Sequence, residues 1–119
     1  DYLSLHLHLT DVTRHIIDAR RIGMMKPAAC LINVARGALI DEAAMHEALL
    51  NGRIGGAGID VFSTEPPDLT LPVYQLPNMV VTPHISGGTD STARARAGAV
   101  SENVDRVAQG LEPLYRVDG

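Results

Sequence analysis

Three residues that could together bind and protonate an organic acid follow short apolar runs of this sequence. Arg36 comes just after the run Cys30–Val34. Glu65 lies five residues beyond Asp60, and His84 follows another apolar run. A guanidinium can hold a carboxylate through two parallel hydrogen bonds. An imidazole exchanges a proton near neutral pH, and a neighbouring carboxylate favours its charged form. These residues alone predict proton transfer on an anionic substrate, and they do not identify hydride transfer.

The elements that would position these residues alternate between strands and helices. Short apolar runs that alternate with helical periodicity predict parallel βαβ units and therefore an α/β fold. The second strand is apolar apart from Asn33, which is typical of a sheet covered on both faces. The predicted strands are 2–7, 30–34, 57–59 and 79–82, the predicted helices are 18–25, 41–51 and 89–109, and 62–78 is a proline-rich loop with at most one helical turn.

Local signals mark the ends of the predicted helix 41–51. Asp41 can accept hydrogen bonds from the free amides at its start, and Gly52 suits the left-handed position after its end. In the last helix, apolar residues at steps of three and four form a stripe that should pack against a partner surface. We expect the chain either to expose this stripe or to cover it with a second copy, and we expect a homodimer.

The strand ends predict where a ligand would bind. In open parallel sheets, ligands bind beyond the carboxyl ends of the strands. Arg36, Asp60 with Glu65, and His84 should therefore gather at one edge. The glycines that flank this edge, Gly37 and Gly87-Gly88, would let the backbone approach a ligand closely.

Composition limits the possible functions. The chain has 119 residues, which is enough for one domain. Its net charge of −4 and aromatic content of 3% argue against nucleic-acid binding. The single cysteine, Cys30, excludes an internal disulfide and a cysteine-based zinc site, and we expect no metal. With no predicted membrane span or signal peptide at the start of the sequence, we expect no membrane partner and a cytoplasmic location.

Three segments of the sequence carry a resemblance to a known family. LINVARGALIDEAAMHEAL, GAGIDVFSTEP and VVTPHISGGT resemble the three signature segments of the D-isomer-specific 2-hydroxyacid dehydrogenases, in the family's order. SLHLHLTDVTRHII is similar to the stretch before the first of them, so the likeness covers essentially the whole chain. One departure is His8, where the family usually has proline, at a position that borders the dinucleotide.

The resemblance implies an activity, a cofactor and roles for individual residues. The activity is hydride transfer between NAD or NADP and a small 2-hydroxy or 2-oxo acid. Arg36 would bind the substrate carboxylate and polarise the keto oxygen, His84 would exchange a proton with that oxygen, and Glu65 would favour the protonated form of His84. The residues that would contact the dinucleotide are His6, Val34, Ala35, Arg36, Asp60, His84 and Gly87.

The family's glycine-rich phosphate loop, GxGxxG, is not found in a valid setting. GRIGGAG at 52–58 follows a helix and leads into a strand, whereas the fingerprint lies between a strand and a helix. We therefore expect residues 1–119 to be the C-terminal part of a Rossmann-like nucleotide-binding domain, without its first βαβ half and without the substrate domain. Two alternatives stay open: a corepressor-like protein of the same fold that senses the dinucleotide, and a chain with no activity of its own.

Overall fold

Four short strands pair side by side into a fully parallel sheet, in the order in which they occur along the chain. This computed structural model describes residues 1–117. The strands are β1 (Tyr2–Leu5), β2 (Cys30–Asn33), β3 (Gly56–Ile59) and β4 (Met79–Val81). The α/β class and the parallel sheet predicted from the sequence are confirmed, and each observed strand falls within about one or two residues of its predicted bounds.

Three α-helices alternate with these strands or follow them. They are α1 (Ala19–Ile22), α2 (Glu42–Leu50) and α3 (Asp90–Ala108). The loop after β3 contains one short 3₁₀ turn, Pro72–Gln75, as predicted. A second 3₁₀ turn, Gly37–Leu39, follows β2 and was not predicted. Among residues 1–117, no helix is long and apolar enough to cross a membrane.

The ends of α2 follow the local sequence signals. The Asp41 carboxylate accepts a hydrogen bond from the amide of Ala44 at 3.2 Å. Gly52 has a φ of 63°, which is the left-handed conformation that glycine adopts without a steric penalty. Both predicted helix-end residues are therefore confirmed.

One face of the sheet is buried. Leu31, Ala57 and Met79 lie in register on β2, β3 and β4, and all three are buried in one cluster with side chains of α1 and α2. On the other face, Ile32 is partly exposed and Val80 is 66% exposed. The prediction of a sheet covered on both faces is therefore confirmed for one face only, because the second face is partly buried in the central strands and exposed at Val80.

The chain divides into two compact units, Asp1–Ser86 and Gly87–Gly119. The sheet, α1 and α2 belong to the first unit, and α3 belongs to the second. Helix α3 begins with a capping box, in which the side chain of Thr89 accepts a hydrogen bond from the amide of Thr92 and the side chain of Thr92 accepts one from the amide of Thr89. Its predicted apolar stripe includes three valines that are each more than half exposed: Val100, Val104 and Val107.

Candidate active site

The ends of three neighbouring strands form one edge of the sheet. Ile59 of β3 is in register with Asn33 of β2 on one side and with Val81 of β4 on the other, so these strands end level with one another. Asp60 follows β3 directly, and His84 comes three residues after β4. The common edge predicted from the sequence is therefore present.

Glu65 and His84 meet at this edge. The Glu65 Oε2 atom lies 2.9 Å from Nδ1 of His84, and the two side chains are 42% and 49% exposed. An ionised carboxylate only accepts hydrogen bonds, so Nδ1 of His84 carries the hydrogen in this contact. The arrangement leaves Nε2 as the ring nitrogen that can meet a substrate.

Glu65 is also held by its own loop. Its Oε1 atom accepts a hydrogen bond from the amide of Phe62 at 3.1 Å. The hydrogen bonds from His84 and then from the Phe62 amide lower the pKa of Glu65 most. Burial raises this pKa by less, and the charges of His84 and Arg36 lower it by still smaller amounts. Glu65 is therefore ionised throughout the neutral pH range.

The loop that carries Glu65 packs directly on the turn after β2. A Cβ atom on Gly37 would lie 1.9 Å from the carbonyl carbon of Phe62 and 2.3 Å from the amide nitrogen of Ser63. The carboxylate of Glu42, at the start of α2, accepts a hydrogen bond from the Ser63 amide at 2.8 Å. Gly37 thus permits close contact between two backbone segments of this chain, and the approach to a ligand stays a prediction.

Asn33 shapes the turn that carries Arg36. This side chain is 1% exposed; its Oδ1 accepts a hydrogen bond from the Ala35 amide, and its Nδ2 donates one to the Arg36 carbonyl. Asn33 is the one polar residue of an otherwise apolar strand, and this exception was the sequence signal for its role. A buried amide side chain requires such partners.

The Arg36 side chain is exposed at the edge but is not joined to the other two. Its guanidinium donates a hydrogen bond to the carbonyl of Ala35 at 2.7 Å. Its charge makes only a minor contribution to the lowered pKa of Glu65. The structure therefore joins Glu65 and His84 by a hydrogen bond, whereas the Arg36 guanidinium is bonded to the backbone of the preceding residue.

Asp60 is buried beside His84. Its side chain accepts hydrogen bonds from the Thr82 hydroxyl at 2.6 Å, the Ile85 amide at 2.9 Å and the Ser86 amide at 3.0 Å. Burial alone would raise the pKa of Asp60, but hydrogen bonds from the hydroxyls and amides of these residues lower it well below its usual range. The carboxylate is thus bonded to its own chain, and its contact with a nicotinamide stays a prediction.

The predicted dinucleotide contacts fall into separate groups. His6, Val34, Ala35 and Arg36 share one cavity of about 230 Å³ with His8, the residue that departs from the family pattern. A guanidinium and two imidazoles suit phosphate or sugar hydroxyls, and the size of the cavity allows only part of a dinucleotide. Glu65 and His84 line a second, more apolar cavity of about 650 Å³. Gly87 begins the other unit, and its predicted contact is untested.

Known proteins resemble this chain in both sequence and structure. A family model described as D-isomer specific 2-hydroxyacid dehydrogenase, NAD binding domain, matches residues 1–86. Glyoxylate/hydroxypyruvate reductase B of Pectobacterium carotovorum subsp. carotovorum (strain PC1) is 43% identical over 110 residues, which cover 92% of this chain and 34% of that protein.

Two crystal structures extend the likeness to the fold. The TT0316 protein from Thermus thermophilus has a TM-score of 0.87 and 43% identity, covering 96% of this chain and 36% of that one. D-isomer specific 2-hydroxyacid dehydrogenase from Xanthobacter autotrophicus Py2, in complex with NADPH and MES, has a TM-score of 0.76 and 37% identity, covering 98% and 48%.

The chain spans between 21% and 36% of the length of the first curated relatives that it matches. The match to the family model covers the whole first unit, Asp1–Ser86, and so includes the sheet edge with Asp60, Glu65 and His84. The resemblance inferred from the three signature segments is confirmed. The chain belongs to the D-isomer specific 2-hydroxyacid dehydrogenase family, in the part described as the NAD binding domain.

Proposed function

We propose that this chain supplies the catalytic edge of an oxidoreductase that interconverts a small 2-oxo acid and its D-2-hydroxy acid. The observation that carries the proposal is the hydrogen bond between Glu65 and His84 at the end of the sheet, within the segment that matches the family. Family membership supplies the reaction class. NAD or NADP would supply or accept the hydride when bound.

His84 would act as the general acid in reduction. Its Nδ1 donates to Glu65, so its Nε2 would give a proton to the substrate's C2 oxygen as hydride reaches C2. The products are then the hydroxy acid, the oxidised dinucleotide and a neutral imidazole. In the oxidation direction, the neutral Nε2 would remove the hydroxyl proton. The ionised Glu65 would stabilise the charged ring in either direction.

Arg36 would bind the substrate carboxylate. Its guanidinium lies exposed on the turn after β2, and the single hydrogen bond to Ala35 leaves further donors for an anion. Swinging toward a bound substrate would place the charge near both the carboxylate and the keto oxygen. Asn33 would fix the backbone from which this movement starts.

One group of the residues that would hold the dinucleotide lines a single cavity of the first unit. His6, Val34 and Ala35 line the smaller cavity together with Arg36, and they would contact the part of the cofactor next to the reacting ring. Asp60, His84 and Gly87 are proposed as further contacts from the resemblance alone.

The activity is proposed for an enzyme longer than residues 1–119. The relatives are about three to four times the length of this chain. We place residues 1–119 in the C-terminal part of the dinucleotide-binding domain, with the phosphate loop and the substrate domain elsewhere in the enzyme. We also propose that this enzyme is a homodimer and that it is located in the cytoplasm.

The test is an assay of the complete enzyme against a panel of 2-oxo acids, including glyoxylate and hydroxypyruvate, with NADH and with NADPH. Oxidation of the dinucleotide that depends on one of these acids is the expected result. No turnover on any acid, with dinucleotide binding retained, would overturn the proposal and favour a dinucleotide sensor.

A further inference from the structure

We propose that Asp60 is a positioning residue for His84: its buried carboxylate accepts hydrogen bonds from a side chain before the histidine and from backbone amides after it, and thereby sets the direction of the imidazole. The inference rests on the proposed function, because it concerns the same proton transfer. It assigns Asp60 a role that does not require contact with substrate or dinucleotide.

The hydrogen bonds of Asp60 bracket His84. Thr82 lies two residues before the histidine, and its hydroxyl donates to Asp60 Oδ1 at 2.6 Å. Ile85 and Ser86 follow the histidine, and their amides donate to Oδ1 and Oδ2 at 2.9 and 3.0 Å. One carboxylate at the end of β3 therefore fixes the segment 82–86 on both sides of the reacting side chain.

The backbone of His84 needs such support. Its φ is 54°, in the left-handed region that is uncommon for residues other than glycine. Its amide donates to the Thr82 carbonyl at 3.0 Å, which closes a tight turn. Unfavourable backbone conformations persist where the surrounding structure determines them. Here the Asp60 carboxylate holds both flanks of the turn.

The positioning role of Asp60 needs no bound ligand, because the carboxylate is buried among groups of its own chain. Asp60 is 2% exposed, and both of its oxygens accept hydrogen bonds from the chain. Hydrogen bonds from Ser86, Thr82 and Ile85 also outweigh the effect of burial and lower the pKa of Asp60, so the carboxylate is ionised at neutral pH. Glu65 then fixes the imidazole ring from the side, while Asp60 fixes the backbone that carries the ring.

Thr82 offers the sharpest test, because it touches Asp60 without being one of the proposed dinucleotide contacts. Thr82→Val has nearly the same shape as threonine but no hydroxyl, whereas Thr82→Ser keeps the hydroxyl. In the complete enzyme, Thr82→Val should lower kcat by about 10-fold or more, since a displacement of about 1 Å can cost about 100-fold. The dinucleotide Kd should not change, and Thr82→Ser should restore most of kcat.

A second measurement does not depend on activity. In the ¹⁵N NMR spectrum of the histidine-labelled complete enzyme, the Nδ1 signal of His84 should report its hydrogen bond to Glu65. Thr82→Val and Asp60→Asn should both shift this signal toward that of a free imidazole, and Thr82→Ser should not. If the wild-type enzyme turns over no 2-oxo acid, the proposed function fails, and the NMR comparison still decides the role of Asp60.

Two results would overturn the inference. The first is an unchanged kcat and an unchanged His84 signal in Thr82→Val. The second is a loss of dinucleotide affinity with unchanged kcat in Asp60→Asn, because that pattern assigns Asp60 to cofactor binding instead.

Discussion

An imidazole that gives one nitrogen to a carboxylate keeps the other nitrogen for a substrate. In this chain the Glu65 carboxylate occupies Nδ1 of His84 at 2.9 Å, and Glu65 stays ionised at neutral pH because the His84 hydrogen bond and the Phe62 amide lower its pKa. In the proposed mechanism this pair would already be hydrogen-bonded before a substrate binds, whereas Arg36 would first have to leave the Ala35 carbonyl.

Glu65→Gln should change the pH dependence of the reaction. The neutral amide can still accept a hydrogen bond but no longer favours the protonated imidazole. In keto-acid reduction, the pH above which activity declines should therefore move to lower values. The shift should be present wherever wild-type Glu65 is ionised, which includes the whole neutral range because its pKa is lowered. Profiles of kcat/KM from about pH 5 to about pH 10 measure the effect.

The matched control is Glu47→Gln, since Glu47 is exposed on α2. Its profile should coincide with that of the wild type. A Glu65→Gln profile that also coincides with the wild type would separate Glu65 from His84 in the mechanism.

Arg36→Ala should raise KM for the 2-oxo acid and also lower kcat, because the guanidinium would act on both the bound substrate and the transition state. A lost hydrogen bond to a charged group costs about 1.5–3 kcal/mol, which is about one to two orders of magnitude in kcat/KM. Arg36→Lys should recover only part of the loss, because an ammonium lacks the planar fork. Arg94→Ala, on exposed α3, serves as the control, and equal kinetics in the two alanine variants would contradict the assignment.

At the scale of elements, the loop with Glu65 and the turn with Arg36 are built as one unit. A methyl group on Gly37 would overlap the backbone of Phe62 and Ser63, which cannot move as a flexible side chain could. Gly37→Ala should therefore destabilise the chain by about 3 kcal/mol, at the upper end of the usual cost of overpacking.

Urea denaturation of the chain measures the cost of Gly37→Ala, and Gly58→Ala provides the control. A Cβ on Gly58 would meet only Ile32 Cγ1, at an ordinary distance of 3.9 Å. Gly58→Ala should leave the free energy of unfolding nearly unchanged. Equal midpoints for the two variants would show that the close contact at Gly37 is relieved at little cost.

The sequence predicted these elements where the signals are local. Asp41 and Gly52 mark the ends of α2 by their own chemistry, and strands rich in aliphatic residues mark the sheet. The hydrogen bonds of Glu42 and Asp60 join residues that are up to 26 positions apart, and those of Asn33 depend on the exact path of a turn. Local sequence signals therefore did not predict them. The exposure of Val80 on the second face of the sheet was missed for a related reason, because aliphatic strand residues do not reveal which neighbours the chain provides.

At the scale of the whole molecule, the two units carry different features. The first unit carries the sheet edge with Glu65 and His84, and the second carries the exposed valines of α3. The sequence contains no GxGxxG loop between a strand and a helix, and that loop is the element that binds a dinucleotide's phosphates in this kind of fold.

The isolated 119-residue chain should therefore bind NADH only weakly, with a Kd well above the micromolar range. Lost phosphate contacts are charge-assisted hydrogen bonds at a helix N-terminus, which are among the stronger polar interactions. Isothermal titration or quenching of NADH fluorescence measures the affinity. Micromolar binding would show that the residues along the strand ends hold the cofactor without the phosphate loop.

The proton-transfer role of His84 is the central claim, and one pair of variants tests it most directly. His84→Asn keeps a residue that tolerates the left-handed backbone but removes the proton donor, and His15→Asn makes the same change at another histidine of positive φ. In the complete enzyme, kcat for 2-oxo-acid reduction should fall about 10²–10⁴-fold in His84→Asn, with dinucleotide affinity retained, and should not change in His15→Asn. Near-normal turnover by His84→Asn would contradict the account.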